Sequence, residues 1–236
     1  MILAVDCGNS RIKWGALLDG RWIARGGTIY ADSQGLGVEW AALPSPRSIV
    51  IANVAGESAQ AALAPHLARL PVAARWIRAQ ATQCGVRNGY HEPERLGADR
   101  WAALIGARSL HAGACVVVMA GTATTVDRLD TDGRFRGGLI LPGAVLMKQA
   151  LASNTAGLPL ASGHWTPEPV ATDDAIESGC IEAQLGAIER MHTRMSGDAL
   201  CLLSGGAAAS LAPLLNIPVR VVDNLVLEGL ARIASE

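Results

Sequence analysis

The sequence predicts an α/β fold made of two similar domains, and this prediction depends on an internal repeat, two hairpin turns and alternating strand and helix patterns. Two stretches of the chain match at an offset of 113 residues. The identical pairs are Val5 and Val118, Gly8 and Gly121, Asp19 and Asp132, Gly20 and Gly133, and Arg21 and Arg134. Because self-similarity at a fixed offset is a signature of repeated architecture, we expect both halves to share one plan.

The first half begins with a predicted meander of three strands. An apolar strand leads into a small-residue turn at residues 7–10, and the second strand ends at Asp19-Gly20. Asp-Gly between apolar segments is a strong hairpin signal, and both central residues of such a turn are expected to take positive φ angles. Apolar periodicity then predicts a strand at 48–52, a helix at 57–70, a strand at 74–77 and a helix at 98–111.

The second half repeats the meander around a turn at residues 120–123 and a hairpin at Asp132-Gly133. Apolar periodicity predicts helices at 145–152, 173–195 and 225–234 and strands at 199–203 and 219–222. Proline-rich stretches at 43–46 and 159–169 predict loops. We therefore expect two α/β domains, at residues 1–112 and 113–236, with a cleft between them.

Composition excludes several classes of protein. Twenty basic and 21 acidic residues are scattered along the chain without a basic tract, which argues against nucleic acid as a partner. No apolar run reaches the ~18–20 residues of a membrane span, and no basic segment precedes the first strand, so we expect a cytoplasmic protein without membrane contact. Five widely spaced cysteines without a CxxC pair fit neither a disulfide framework nor a zinc site.

The segment from Asp6 to Lys13 is the first candidate for a functional site. A carboxylate at the end of a buried strand is followed directly by a turn of small residues. Such a turn brings backbone N–H groups within reach of phosphate oxygens, and the carboxylate can hold magnesium through water. An aspartate that caps a tight turn is the alternative. The equivalent turn at residues 120–123 favours the phosphate interpretation, because two hairpins facing one cleft can hold a polyphosphate from both sides.

A glycine pair at Gly205-Gly206 lies between a predicted strand and a predicted helix. It allows a nucleotide to approach the backbone closely, although close packing at the start of a helix explains it equally well. The chain contains no GxxxxGK[ST] motif, so a P-loop enzyme is excluded.

The polar segment at residues 88–101 is the second candidate site. Asp99 lies where a helix is predicted to begin, so it could cap that helix or accept a proton from a substrate hydroxyl. Arg100 beside it could bind a substrate carboxylate.

These motifs together resemble the type III pantothenate kinases over essentially the whole length of the chain. The motifs that carry the resemblance are Asp6-Cys7-Gly8-Asn9-Ser10-Arg11-Ile12-Lys13, Asn88-Gly89-Tyr90 with Pro93, Leu96-Gly97-Ala98-Asp99-Arg100, Gly121-Thr122-Ala123-Thr124-Thr125, Gly137-Gly138-Leu139-Ile140-Leu141-Pro142-Gly143, and Leu203-Ser204-Gly205-Gly206. The resemblance implies a duplicated actin-like fold of the acetate and sugar kinase superfamily, usually dimeric. It also implies transfer of the γ-phosphoryl group of ATP to pantothenate, the first step of coenzyme A synthesis.

The resemblance also implies roles for individual residues. Asp99 would be the catalytic base, and Asp6 would hold magnesium through water. The residues implied to bind ATP and its magnesium are Asp6, Cys7, Gly8, Asn9, Ser10, Arg11, Ile12, Lys13 and Thr122. The residues implied to bind pantothenate are Tyr90, Gly97, Ala98, Asp99, Arg100 and Thr172.

One position departs from the family pattern. Relatives usually carry an aspartate two residues before the glycine of the second turn, where it binds a monovalent cation such as potassium, and this chain has Met119 there. A thioether is a poor ligand for a hard cation, so the sequence argues against that cation site.

Two other functions stay open at this point. Some family members from Gram-negative bacteria are described as accessory factors for a virulence regulator and resemble this subtype, which suggests an accessory protein with weak or no kinase activity. A kinase or phosphatase of the same superfamily with another substrate is the other alternative. The segment from Tyr90 to Arg100 favours pantothenate, because it resembles the pantothenate site specifically.

Overall fold

The structure is a computed structural model that describes residues 1–195 and 197–236. The chain forms two compact units, one of Met1–Ala112 together with Asn224–Glu236 and one of Gly113–Asp223. Each unit contains a five-stranded sheet with helices.

The sheet of the first unit has the strand order β3-β2-β1-β4-β5. Strand β1 is antiparallel to β2 and parallel to β4, so a meander is followed by crossover connections. The strands are β1 (Ile2–Cys7), β2 (Arg11–Leu18), β3 (Arg21–Ile29), β4 (Ser48–Asn53) and β5 (Ala74–Trp76), and a separate hairpin contains β6 (Thr82–Gln83) and β7 (Val86–Arg87).

The helices of the first unit cover both faces of this sheet. They are α1 (Leu36–Ala41), α2 (Glu57–Leu67), α3 (Ala98–Leu110) and α7 (Leu225–Ala234). Leu3, Val5 and Cys7 of β1 face one core with residues of α1 and α2. Since side chains alternate along a strand, Ala4 and Asp6 face the opposite side, where α7 packs on β1 and β4. The position of Asp6 therefore follows from the pleat of β1.

The second unit repeats this plan with the strand order β10-β9-β8-β11-β12. Its strands are β8 (Cys115–Ala120), β9 (Ala123–Leu129), β10 (Phe135–Pro142), β11 (Leu200–Ser204) and β12 (Val219–Val221). Its helices are α4 (Ala144–Asn154), α5 (Thr172–His192) and α6 (Ala208–Leu211). Because both sheets have the same order and the same pattern of parallel and antiparallel pairs, the predicted duplicated actin-like α/β fold is confirmed.

The two Asp-Gly turns differ in backbone conformation. Asp19 and Gly20 have φ angles of 48° and 77°, as expected for a two-residue hairpin turn. In the second turn only Gly133 has a positive φ, of 78°, and its N–H donates to the carbonyl of Asp130 over 2.9 Å. The expectation of two positive φ angles was therefore wrong for Asp132, because the longer loop needs only the glycine in the left-handed region.

The C-terminal helix corrects the expected domain boundary, because Asn224–Glu236 group with the first unit and not with residues 113–223. Helix α7 buries most of its side chains, and it packs closely on α3. A Cβ atom on Gly229 would lie 1.8 Å from the carbonyl oxygen of Ala102, and one on Gly106 would lie 2.3 Å from that of Leu225. Because these glycines carry no side chain, the backbones of α3 and α7 can lie in contact.

Most predicted elements are present, with small differences at their ends. Helix α2 ends at Leu67, three residues earlier than predicted, since Leu70 precedes Pro71 and that position disfavours helix. The β6–β7 hairpin and α1 were not predicted. Among the described residues no helix combines the length and apolar character that a membrane crossing requires.

We expect Gly229→Ala to destabilise the protein, because the new methyl group would collide with backbone atoms of α3. Overpacking of this kind costs about 2–3 kcal/mol, measured as the free energy of unfolding in urea. Gly186→Ala in α5 is the matched control, because nothing lies within 4 Å of its Cβ position, and it should stabilise by about 0.5–1 kcal/mol. Equal effects of both substitutions would contradict this account of the α3–α7 contact.

Candidate active site

The turn after β1 is held from inside the first unit and exposed at its tip. The N–H of Gly8 donates to the carbonyl of Arg11 over 3.1 Å. The Tyr30 hydroxyl donates to the carbonyl of Gly8 over 2.8 Å. Asn9, Ser10 and Arg11 are exposed. Two hydrogen bonds at Gly8 thus fix the turn, and the polar residues that follow it face solvent.

Asp6 is the buried carboxylate at the base of this turn, with 9% of its surface exposed. It pairs across the strands with Lys13 and Ala52. Burial raises the pKa of Asp6 from 3.8 to about 7, the charge of Asp99 raises it as well, and Lys13 lowers it. The carboxylate of Asp6 is therefore costly to ionise, mainly because it is buried.

Asp99 lies in the first turn of α3 but does not cap it. Gly97 is the N-cap residue, and the Asp99 Oδ1 atom accepts the N–H of Arg100 over 2.7 Å. A Cβ atom on residue 97 would lie 2.7 Å from that oxygen, so a larger residue there would push the Asp99 carboxylate out of this position. Burial raises the pKa of Asp99, and the hydrogen bond from the Arg100 N–H opposes that change. A carboxylate with a raised pKa is a better proton acceptor near neutral pH.

The buried Arg100 pairs with Tyr90, which is partly buried. The Arg100 Nη1 atom donates to the Tyr90 hydroxyl over 2.9 Å, and the guanidinium lies 5.7 Å from the centre of the Tyr90 ring. Only 4% of the surface of Arg100 is exposed. The pair places a fixed positive charge and a phenol beside the helix start that carries Asp99.

In the second unit, glycines shape the turn that is equivalent to the Asp6 turn. The N–H of Gly143 donates to the carbonyl of Thr122 over 2.9 Å, and the Thr122 side chain is exposed. Gly205 has a φ of 105°, and a Cβ atom on it would lie 2.3 Å from the carbonyl oxygen of Ala120. Close packing of this loop on the end of β8 therefore requires the first glycine of the Gly205-Gly206 pair.

Thr172 is the first residue of α5 and lines a groove of about 760 Å³ between α4 and α5. Most of the groove is apolar, with Met147, Leu151, Leu158 and Ile176 among its lining residues. The structure thus places Thr172 on an apolar surface of the second unit.

The surroundings of Met119 do not fit a cation site built on a carboxylate. Its neighbours across the strands are Thr125 and Ser204, which offer only neutral hydroxyl groups. The Thr125 Oγ1 atom is buried without a hydrogen-bond partner among the described residues. A hard monovalent cation needs several oxygen ligands, and the thioether of Met119 cannot replace a carboxylate.

The carboxylates of the first unit fit magnesium better than the surroundings of Met119 fit a monovalent cation. Among the described residues no group of three or more His, Cys, Asp and Glu side chains forms a cage for a metal. Magnesium does not need one, because it is usually held by one or two carboxylates, substrate phosphates and water. Burial is the main cause of the raised pKa of Asp6, and the positive charge of a divalent cation would favour the ionised carboxylate.

Asp6→Asn should change how stability depends on pH in metal-free buffer. Because the folded-state pKa of Asp6 is higher than 3.8, the folded protein binds this proton more tightly than the unfolded chain does. The stability of the natural protein should therefore fall relative to the variant, by on the order of 1–3 kcal/mol, as pH rises from about 5 to about 8. Urea unfolding at several pH values measures this. Asp19→Asn, at an exposed turn, is the control and should follow the natural protein. If the stability of Asp6→Asn depended on pH in the same way as that of the natural protein, the raised pKa of Asp6 would be contradicted.

The structure thus brings Asp6, Lys13, Tyr90, Gly97, Asp99 and Arg100 into one unit and places Thr122 and Thr172 in the other. Sequence reasoning gave no role to Tyr30 or to Asn88, although both hold candidate residues in place. The Asn88-Gly89 pair is a turn signal that could have indicated the second of these.

Comparisons with known proteins identify the family of this chain. A family model described as type III pantothenate kinase matches residues 2–194. A type III pantothenate kinase from Aromatoleum aromaticum is 56% identical over 238 residues, which span 100% of this chain and 98% of the relative. One from Azoarcus sp. is 54% identical and spans 100% of this chain and 91% of the relative.

Solved structures with low sequence identity share the fold. A protein from Campylobacter jejuni assigned to the Baf family of transcriptional activators has a TM-score of 0.64 and 20% identity, over 99% of this chain and 97% of that one. The activator of 2-hydroxyisocaproyl-CoA dehydratase from Clostridium difficile, with bound ADPNP, has a TM-score of 0.57 and 12% identity, over 99% and 92%. At these identities the likeness concerns the fold alone. The full-length relatives and the family model show that the chain belongs to the type III pantothenate kinase family.

Proposed function

We propose that this protein phosphorylates pantothenate with ATP to give 4'-phosphopantothenate and ADP, the first step of coenzyme A biosynthesis. The observation that carries the proposal is a pair of carboxylates with raised pKa values in a chain of this family: the buried Asp6 at the end of β1 and the partly buried Asp99 at the start of α3. Phosphoryl transfer depends on positioning and on neutralisation of charge, and this unit offers groups for both.

We assign the nucleotide to the turn after β1. Its exposed tip can present backbone N–H groups to phosphate oxygens, and Arg11 and Lys13 add positive charge. Thr122 of the second unit is proposed to contact phosphates as well. The proposed ATP-binding residues are Asp6, Cys7, Gly8, Asn9, Ser10, Arg11, Ile12, Lys13 and Thr122.

Asp6 is proposed to hold magnesium through water. Magnesium neutralises the developing charge on phosphate oxygens when it is bound. The carboxylate of Asp6 would orient the hydration shell of the ion, and its own pKa would fall as positive charge arrives.

Asp99 is proposed to accept the proton of the primary hydroxyl of pantothenate. The hydroxyl oxygen forms a bond to the γ-phosphorus as the bond to the bridging oxygen of ADP breaks, and the proton moves to the carboxylate of Asp99. The guanidinium of Arg100 is proposed to bind the carboxylate of pantothenate, with Tyr90 holding the guanidinium in place. Gly97 and Ala98 would border the substrate.

We also propose that the protein is a homodimer and that it is cytoplasmic. Helix α4 is rich in apolar residues, yet none of them is fully buried. Four apolar residues are between 62% and 100% exposed, and each lies two residues in sequence from a residue that lines the groove of Thr172: Ile140, Val145, Leu160 and Val170. Apolar surface of this kind is typical of an interface, and a second copy is the occupant that the family suggests. Sedimentation velocity measures the mass of the assembly.

The alternative of an accessory protein without kinase activity is not favoured. Its support is the likeness to a structure assigned to a family of transcriptional activators, and that likeness concerns the fold alone. The relatives with high identity are pantothenate kinases.

Turnover measured with and without pantothenate tests the function, and Asp99→Asn tests the base. ADP release should depend on pantothenate, and Asp99→Asn should lower kcat by about 10²-fold, near the lower end for a general base because phosphoryl transfer is largely dissociative. Affinity for ATP should stay unchanged. Asp19→Asn removes an exposed carboxylate and should keep full activity. Near-normal kcat in Asp99→Asn would reject the assigned role.

Activity should respond little to potassium or ammonium, because Met119 and its neutral neighbours replace the carboxylate that relatives use. Turnover titrated from a cation-free buffer should change by less than about 2-fold, since the residues paired with Met119 across the strands carry no charge that would attract the cation. A large, saturable activation by potassium would mean that other oxygens complete a site, and the argument from Met119 would fail.

A further inference from the structure

We propose that Asn88 is a positioning residue that fixes Tyr90, and through Tyr90 the guanidinium of Arg100, for binding of the carboxylate substrate. The inference rests on the proposed function, since it concerns the same substrate site. Asn88 itself is not proposed to touch the substrate or the reacting atoms.

The side chain of Asn88 makes two hydrogen bonds that span the loop around Tyr90. Its Oδ1 atom accepts the N–H of Tyr90 over 3.0 Å. Its Nδ2 atom donates to the carbonyl of Pro93 over 3.0 Å. One amide therefore holds both ends of the segment from Tyr90 to Pro93, which lies in a loop outside helices and strands until the short turn at Pro93–Arg95.

The backbone of Asn88 is fixed by the hairpin that precedes it. Its N–H donates to the carbonyl of Ala81 over 2.9 Å and so extends the pairing of β6 with β7. That hairpin is anchored to α3, because the Trp101 Nε1 atom donates to the Oε1 atom of Gln83 over 3.0 Å. Trp101 is fully buried, so the anchor is rigid.

The loop returns to the same helix through Tyr90. The Tyr90 hydroxyl accepts from Arg100, the residue directly before Trp101. The contacts therefore form a closed circuit from Trp101 through Gln83, Asn88 and Tyr90 to Arg100. Since the two anchors on α3 are adjacent residues, loss of the Asn88 side chain would free only the middle of the loop and leave Asp99 and the helix in place.

This arrangement predicts a specific kinetic signature. In Asn88→Ala both side-chain hydrogen bonds are lost, so KM for pantothenate should rise about 10-fold, while kcat at saturating pantothenate and KM for ATP should stay within about 2-fold. Asn88→Asp keeps an acceptor for the Tyr90 N–H but loses the donor to Pro93, so its KM should lie between those of Asn88→Ala and the natural protein. The control is Asn216→Ala, an exposed asparagine of the second unit that also forms a side-chain hydrogen bond and should leave both constants unchanged.

A spectroscopic measurement tests the positioning without relying on activity. The chain contains two tyrosines, Tyr30 and Tyr90, so labelling with 3-fluorotyrosine gives two ¹⁹F signals, which Tyr90→Phe assigns. In Asn88→Ala the Tyr90 signal should shift or broaden while the Tyr30 signal stays unchanged, because Tyr30 is held by Gly8. Thermal unfolding of each variant checks that it is folded.

The outcomes separate this inference from the proposed function. If the natural protein shows no pantothenate-dependent turnover, the proposed function fails, and the ¹⁹F spectra alone decide whether Asn88 positions Tyr90. If the natural protein is active and Asn88→Ala keeps its KM for pantothenate, the inference is overturned. It is also overturned if kcat and KM for ATP change as much as KM for pantothenate, or if the Tyr90 signal does not respond.

Discussion

The burial of Asp6 is the constraint on which the site depends. The pleat of β1 sends Leu3, Val5 and Cys7 into one core and leaves Asp6 on the opposite face, where it loses contact with water. A carboxylate there is costly to ionise, and the nearby charge of Asp99 adds to the cost. The ionised form of Asp6 is therefore unfavourable in the folded protein, and a divalent cation bound with its nucleotide would stabilise it. The stability of the unit is in this way linked to the ligands proposed for it.

The place of Asp99 depends on parts of the chain that are far apart in sequence. Helix α3 carries Asp99, Arg100 and Trp101, and it is held by α7 through close contacts at Gly106 and Gly229. The C-terminal helix is thus part of the scaffold of a site formed by the first hundred residues. This explains why the last residues group with the first unit and not with the sheet that precedes them.

Sequence reasoning could predict what depends on local pattern. The repeat, the meanders and the positive φ angles at Asp19-Gly20 follow from alternation and turn chemistry, and both sheets confirm the duplication. It could not predict the partner of α7, because the apolar face of a helix does not specify which surface covers it. It also missed the circuit through Asn88, since those hydrogen bonds need the folded positions of both the hairpin and α3. The raised pKa of Asp6 likewise requires the depth of burial, which the sequence does not contain.

The central claim is that two carboxylates of the first unit have separate roles, with Asp6 assigned to the metal and Asp99 to the substrate hydroxyl. A crystal structure with magnesium, a non-hydrolysable ATP analogue and pantothenate tests this most directly. The account predicts the primary hydroxyl of pantothenate within hydrogen-bond distance of the Asp99 carboxylate, about 2.6–3.2 Å, and magnesium linked to Asp6 directly or through water. A hydroxyl turned away from Asp99, or a metal held by other residues, would contradict it.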